Sequence, residues 1–438
     1  MSPGAERTSS AAPDQAEGLA PSAIAAATSF QLDRIPAIEG LRAWLAWAVV
    51  IYHLTSTTNI DKLYGFSGKA DLVGGGAVHV FMLISGFVIA GLLIKRREDW
   101  GSYITRRAFR LFPVYWLALA IAGVCMYLKL AALGDMSWAS DPLYAGEITY
   151  DANRIAAVEA APWTHALLHL GLLQGLPPSS LVPYSEVSIL GPAWTLTVEW
   201  QFYLVAPLLV WLMRRQGWAI LLLAAGAAFL LAPRIPAIDH LLSAAALPRW
   251  LFLFNIGIAS RIAMPYLMRP RFITWAVAAA ILSLSILFNF LPMITVWLAF
   301  VALLARAPDT SWLGRKLNAV FSAAFESPLA THLGARSYSV YILHSPIIQA
   351  LLFFVMPLYA FTRIEAFVVM IVLTVPVVLI ASGLAYRFVE LPMIALGARV
   401  VAGWRQRPAK LAEKARATDE MALGNATPAS LNAALQAL

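Results

Sequence analysis

Apolar residues come in blocks of about 20 along most of the chain, separated by short stretches of charge, proline and glycine. The blocks lie near residues 39–58, 73–94, 110–131, 194–213, 217–232, 246–264, 271–290, 292–306, 337–358 and 364–386. A helix of that length crosses the hydrocarbon core of a bilayer, and backbone in lipid must satisfy its own hydrogen bonds. The pattern therefore predicts an all-α polytopic membrane protein with about ten transmembrane helices. A further apolar stretch near 163–176 (THALLHLGLLQGL) is too short to span and predicts an interfacial or re-entrant piece. A full crossing there would invert every later span.

The basic residues set the expected orientation. With ten spans and the N-terminus inside, only Lys62, Lys69, Lys129, Arg154, Arg234, Arg249 and Arg363 fall outside the cytoplasmic segments and their edges. Both termini are thus expected in the cytoplasm. Residues 1–34, rich in Ala, Ser, Pro and Gly with no basic n-region before an apolar one, predict a disordered tail rather than a signal peptide. The transmembrane body is expected over 35–395, and 396–438 as a basic, then Ala-rich, cytoplasmic tail. The outer stretch 132–162 carries five acidic residues, Asp135, Asp141, Glu147, Asp151 and Glu159, against Arg154, and predicts either a surface that meets a polar acceptor or a soluble cap.

Composition agrees: 60% of the 438 residues are hydrophobic and 13% charged, against about 25% charged in soluble proteins. The net charge of +8 follows from cytoplasmic Lys and Arg and needs no nucleic-acid partner. The single cysteine, Cys125, rules out an internal disulfide framework or a thiolate metal site.

Against this apolar ground the polar residues stand out. Arg42 and His53 lie in GLRAWLAWAVVIYHL, eleven positions apart, which returns to nearly the same helix face about 16 Å further along the axis. Arg107 and Arg110, at i and i+3 in RRAFRLFPVYW, sit at the inner end of the third span, an arrangement suited to phosphate. For Lys95, Arg96 and Arg97, plain positive-inside charge suffices. Glu199 and Tyr203 share a face near the outer end of the fourth span, at a depth where Glu199 is expected to meet His53. Tyr338, Tyr341 and His344 follow at i+3 steps before Pro346, as a second polar wall or a packed aromatic stripe. Ser85 and Gly86 in FMLISGF are expected to allow close helix packing. His165 and His169 are spaced for half a metal site, but with no further ligand an interfacial role is expected, and no metal.

These residues carry a resemblance. EGLR with its spacing to His53, FMLISGF at 81–87, RRAFRLFPVYW at 106–116, WTLTVEWQFYLVAP at 194–207, SYSVYILHSPI at 337–347 and RFVELP at 387–392 run in order through the body. Together they are similar to the acyltransferase 3 family of polytopic membrane acyltransferases. Glu39 departs from the Asp usual before GLR, and His79 stands where an acidic residue is common. Some members carry a fused extracytoplasmic hydrolase-like domain; this chain ends too soon for one, so the reaction is expected to use the spans alone or a separate partner.

The resemblance implies transfer of an acyl group, most often acetyl from acetyl-CoA, to a hydroxyl of a surface or periplasmic glycan or glycolipid, in the bacterial cytoplasmic (inner) membrane. On that basis Arg42, Arg107 and Arg110 are expected to bind the acyl-CoA donor. His53 is expected to act as general base or transient acyl carrier with Glu199 beside it, and Tyr203, Tyr338, His344 and Trp194 to contact substrate. A transporter using the same Arg, His and Glu as a substrate or proton path is the alternative.

Overall fold

The computed structural model describes residues 35–96, 98–231, 243–267, 292–305 and 312–404. The N-terminal tail 1–34, the C-terminal tail beyond 404, the span expected at 271–290, Arg97 and Arg234 lie outside the described residues. The chain divides into two compact units, Ile35–Gly397 and the two ends taken together. Of the second unit only 398–404 is described, as helix.

Among the described residues every regular element of Ile35–Gly397 is helical. Helix α1, Pro36–Thr58, starts on a proline whose missing N–H costs nothing in the first turn. It stops where Asn59 turns left-handed at φ 58°, a conformation asparagine tolerates. Helix α2 is Ser67–Lys95 and α3 is Trp100–Gly134, whose first turn is capped by the Asp99 side chain accepting from the Ser102 N–H. Next come α4, Pro142–Ala160, and the short α5, Pro162–Leu170. Helices α6 (Trp194–Met213), α7 (Gln216–Leu231), α8 (Leu247–Leu267) and α9 (Pro292–Leu304) follow. The remainder are α10 (Trp312–Phe321), α11 (Pro328–Ala335), α12 (Ser337–Val355) and α13 (Arg363–Ala385).

Five stretches among the described residues are long and apolar enough to cross a membrane: Ser67–Lys95, Trp100–Gly134, Gly191–Met213, Ser337–Leu358 and Arg363–Trp404. Helix α1 has the length, 23 residues or about 35 Å, but Glu39, Arg42 and His53 dilute its hydropathy. Large apolar side chains point outward in stripes, such as Val368, Val372, Ile380 and Leu384 on α13, as a lipid-facing surface requires. The protein is an integral membrane protein. At 9 residues, α5 reaches about 14 Å, half the hydrocarbon thickness.

Lipid is as apolar as leucine, so close approach rather than hydrophobic expulsion holds such helices together. Glycine supplies it at two crossings. A Cβ on Gly86 would fall 2.2 Å from the Phe254 carbonyl oxygen, and one on Gly257 would fall 2.1 Å from that of Leu83, so α2 and α8 touch backbone to backbone. Gly40 of α1 likewise meets the Phe325 backbone, and Gly334 of α11 that of Glu39. Most of the acidic stretch 132–162 is helical, 142–160 forming α4, and three of its carboxylates tie it down. Asp141 pairs with Arg363, Glu147 with Lys62 at 2.7 Å and Asp151 with Lys129 at 2.5 Å, besides Arg154 on its own helix.

Candidate active site

Helix α1 carries an ionisable side chain toward each end, and each lines a different cavity. Arg42 borders a narrow cavity of about 80 Å³, with Arg107 and Arg110 of α3, Glu199 and Tyr203 of α6, Ser85 of α2 and Tyr338 of α12. The i, i+3 spacing on α3 sends both arginines to one side; Arg107 is buried, 8% exposed, and its guanidinium carbon lies 5.9 Å from the Tyr203 ring centre. Glu199 is held from two sides. The Ser85 hydroxyl donates to its Oε1 at 2.8 Å, and the Tyr203 hydroxyl donates to the same oxygen. Three guanidiniums and one carboxylate line this cavity, and Glu39 pairs with Arg42 at 3.7 Å, so the charge is partly balanced; the clustered guanidinium donors suit a phosphate-bearing ligand.

His53 borders the second cavity, about 390 Å³ in volume. Its wall includes Tyr52, Asp71, Lys129, Asp151, Arg154, Trp194, Ser345 and Gln349. Tyr52 donates to Asp71 at 3.0 Å, and its ring fits because position 74 is glycine: a Cβ there would fall 2.1 Å from Tyr52 Cγ. Asp151 accepts from Lys129 at 2.5 Å and from the Arg154 Nε at 3.0 Å. Those cations hold its carboxyl below the ordinary value, outweighing burial, which acts the other way. Aromatic faces and mixed donors and acceptors suit a polyhydroxyl ligand.

Val78 and Tyr341 border both cavities. The Tyr341 hydroxyl is 2.8 Å from Thr195 Oγ1 and donates to the Pro192 carbonyl at 3.2 Å, which fixes this shared wall. Behind it the rings of His53 and His344 lie 5.1 Å apart, centre to centre.

The family model described as "Acyltransferase domain" matches residues 35–383. The chain belongs to this acyltransferase family. Nodulation protein 10 of Rhizobium leguminosarum bv. viciae is 25% identical over 330 residues, covering 71% of this chain and 82% of that protein. A protein of Staphylococcus aureus (strain COL), provisionally named an O-acetyltransferase, is 24% identical over 410 residues, 85% of this chain. The chain spans 59% of that longer relative. Acyltransferase MdmB of Streptomyces mycarofaciens is 27% identical over 185 residues, 42% of this chain and 41% of that protein. No solved structure matches.

In this acyltransferase the arginines expected to act together, Arg42, Arg107 and Arg110, share one cavity, and Tyr203 and Tyr338 line it with them. Trp194 lines the cavity of His53. Glu199 is the correction. It was expected beside His53 and sits instead among the arginines, at the level of Arg42. The reason is depth: Arg42 and His53 are about 16 Å apart along α1, and a carboxylate clasped by Ser85 and Tyr203 is committed to the first level. His344 borders neither cavity and is fully buried. Ser85 does more than allow packing, since its neighbour Gly86 makes the close contact while its hydroxyl binds Glu199.

His165 and His169 converge on the Ser188 hydroxyl, each at 2.9 Å, and Tyr115 donates to the His169 carbonyl at 2.7 Å. Arg154 donates to the Ser188 carbonyl, so this buried knot is joined to the wall of the His53 cavity. No site role is expected of Tyr52, Asp71 or Lys129 from sequence, and Asp151 enters only as part of the acidic outer stretch. An intramembrane Lys129 in the run YLKL was the available signal.

Proposed function

We propose that this acyltransferase moves an acetyl group from acetyl-CoA to a hydroxyl of a surface or periplasmic glycan or glycolipid. It works in the bacterial cytoplasmic (inner) membrane, through a body over 35–395 with ten spans and both termini cytoplasmic. The placement of Lys and Arg supports that orientation, which turns the arginine cavity inward and the His53 cavity outward. Arg42, Arg107 and Arg110 bind the phosphates of the donor, with Tyr203 and Tyr338 lining its path. Glu199, held by Ser85 and Tyr203, balances part of their charge rather than assisting His53. Trp194 and the polar wall of the larger cavity receive the sugar. His53 acts on the acceptor hydroxyl as general base, or carries the acyl group transiently.

The observation that carries this reading is the division of one helix between two cavities, with three arginines in one and His53 in the other, meeting at Tyr341. The provisional name of the staphylococcal relative supports transfer to oxygen. The test is mass spectrometry of envelope glycans from cells with the gene, without it, and complemented with His53→Ala. An acetyl increment present only with the wild-type gene is expected. Identical glycans in all three, or an increment that His53→Ala retains, would count against the proposal.

A further inference from the structure

His344 is a buried imidazole that borders neither cavity. It is fully buried, and neither ring nitrogen has a hydrogen-bond partner among the described residues. The Val340 and Tyr341 carbonyls, one turn back on its own helix, lie close but outside hydrogen-bond geometry. Buried polar atoms are seldom left so, and such orphans ask for an explanation. Its ring lies 5.1 Å from that of His53, with the planes 35° apart. The χ2 torsion of histidine is soft, so a modest rotation turns a nitrogen of each ring toward the other.

Most other polar groups around His53 are already engaged; the Gln349 side-chain oxygen lines the same cavity without a partner among the described residues, but it is the His344 ring that lies against His53. On its own helix and on α2, Tyr52 is bonded to Asp71. On α3 and α4, Lys129 and Arg154 are bonded to Asp151. On α12, the Tyr341 hydroxyl is bonded to Thr195 and Pro192. Glu199 belongs to the arginine cavity. A base that takes a proton at one ring nitrogen needs an acceptor for the N–H on the other, which fixes its tautomer and spreads the charge of the imidazolium.

We infer that His344 is that acceptor: a positioning residue that receives the second N–H of His53 and orients the ring toward the acceptor hydroxyl. The inference rests on the proposed role of His53 as general base. In the step, the acceptor O–H gives its proton to His53, the oxygen forms a bond to the acyl carbon, and the acyl carbon–sulfur bond breaks. His53 then returns the proton to the departing sulfur, while His344 gains and loses none. A neutral imidazole here does what a carboxylate does in a charged triad, without burying an anion.

The test uses the full chain in membrane vesicles from expressing cells, with acetyl-labelled CoA as donor and the endogenous glycan as acceptor. His344→Leu is expected to lower kcat about 10- to 100-fold, the usual effect of losing a partner that orients a functional group, with KM for acetyl-CoA unchanged. His344→Gln, which keeps a carbonyl acceptor, should recover part of that loss. Added imidazole should restore His344→Ala, and benzene, which fills the same space without a nitrogen, should not. The inference is overturned by wild-type kcat in His344→Leu, by equal losses in the Leu and Gln variants, by a change confined to KM, or by equal rescue from both additives. A chain that folds with none of these residues at 344 would make His344 structural, which also overturns it. If the wild-type protein itself labels no acceptor, the proposed function has failed instead.

Discussion

Ser85 and Tyr203 donate to one and the same oxygen of Glu199, and this sharing makes a quantitative prediction. A hydrogen bond to a charged group contributes about 1.5–3 kcal/mol. With either donor removed the other still holds the carboxylate, so Ser85→Ala or Tyr203→Phe alone should cost about 1.5 kcal/mol, the low end of that range. With both removed nothing holds Glu199 back from the three arginines, and it competes with the donor for them. The double variant should then lose more than the two singles together, by an interaction energy of about 0.5–3 kcal/mol. About 1.4 kcal/mol is a tenfold change in affinity. KM for acetyl-CoA, measured in vesicles, should therefore rise about tenfold in each single variant and well over a hundredfold in the double. Glu199→Gln in the double background should return much of the affinity, because the competing charge is gone. Strictly additive effects, or a KM that stays put while only folding suffers, would refute the reasoning that Glu199 is restrained for the benefit of the donor site.

Other expectations come from packing and from the capping helices. Gly86→Ala places a Cβ 2.2 Å from the Phe254 carbonyl oxygen, and overpacking of that kind costs about 1–3 kcal/mol. A lower melting temperature in detergent should follow, whereas Gly75→Ala, which meets nothing within 4 Å, should melt like wild type. Burial, helped by neighbouring His165, holds His169 down at about 3 from its ordinary 6.5, outweighing a backbone contact to Ser185. A base held below its unfolded value adds stability above 6.5 that drains away as pH falls toward 3. Asp151, held low by its cations, loses its contribution lower still, so both act in one direction. Protection factors across 142–190, exchange rates corrected for the intrinsic slowing of amide exchange in acid, should thus fall on acidification from pH 6.5, and protection that stays constant down to pH 4 would contradict the Ser188 knot. Asp141→Ala leaves Arg363, 6% exposed, without its carboxylate, and exchange in α4 should rise while acetyl-CoA KM is unchanged.

Much of the fold was legible because lipid imposes one simple rule on sequence. The blocks at 73–94, 110–131, 194–213, 337–358 and 364–386 needed only length and hydropathy, and helices cover each. The gathering of Arg42, Arg107 and Arg110 could be read from helical spacing and from the charge that marks one side of a membrane. Glu199 could not. Its position along α6 was known, but depth relative to His53 depends on how α6 slides past α1, and the clasp by Ser85 and Tyr203 that decides it joins residues 114 apart in the chain in the first case. Helix α4 escaped for a related reason. Its acidic residues resemble a solvated loop until Lys62, Lys129 and Arg363, far away in sequence, supply the partners. The pairing of His53 with His344 is hidden in the same way, since neither residue's neighbours in sequence announce the other.

The central claim is that donor binding and acyl transfer belong to different ends of α1. Its most direct test is equilibrium binding of labelled acetyl-CoA to vesicles carrying wild-type, His53→Ala or Arg107→Gln protein, with covalent transfer to glycan followed in the same samples. The account predicts that His53→Ala binds the donor within about twofold of wild type and transfers nothing, while Arg107→Gln loses binding first. Transfer at the wild-type rate by His53→Ala, or donor binding abolished by His53→Ala and untouched by Arg107→Gln, would contradict it.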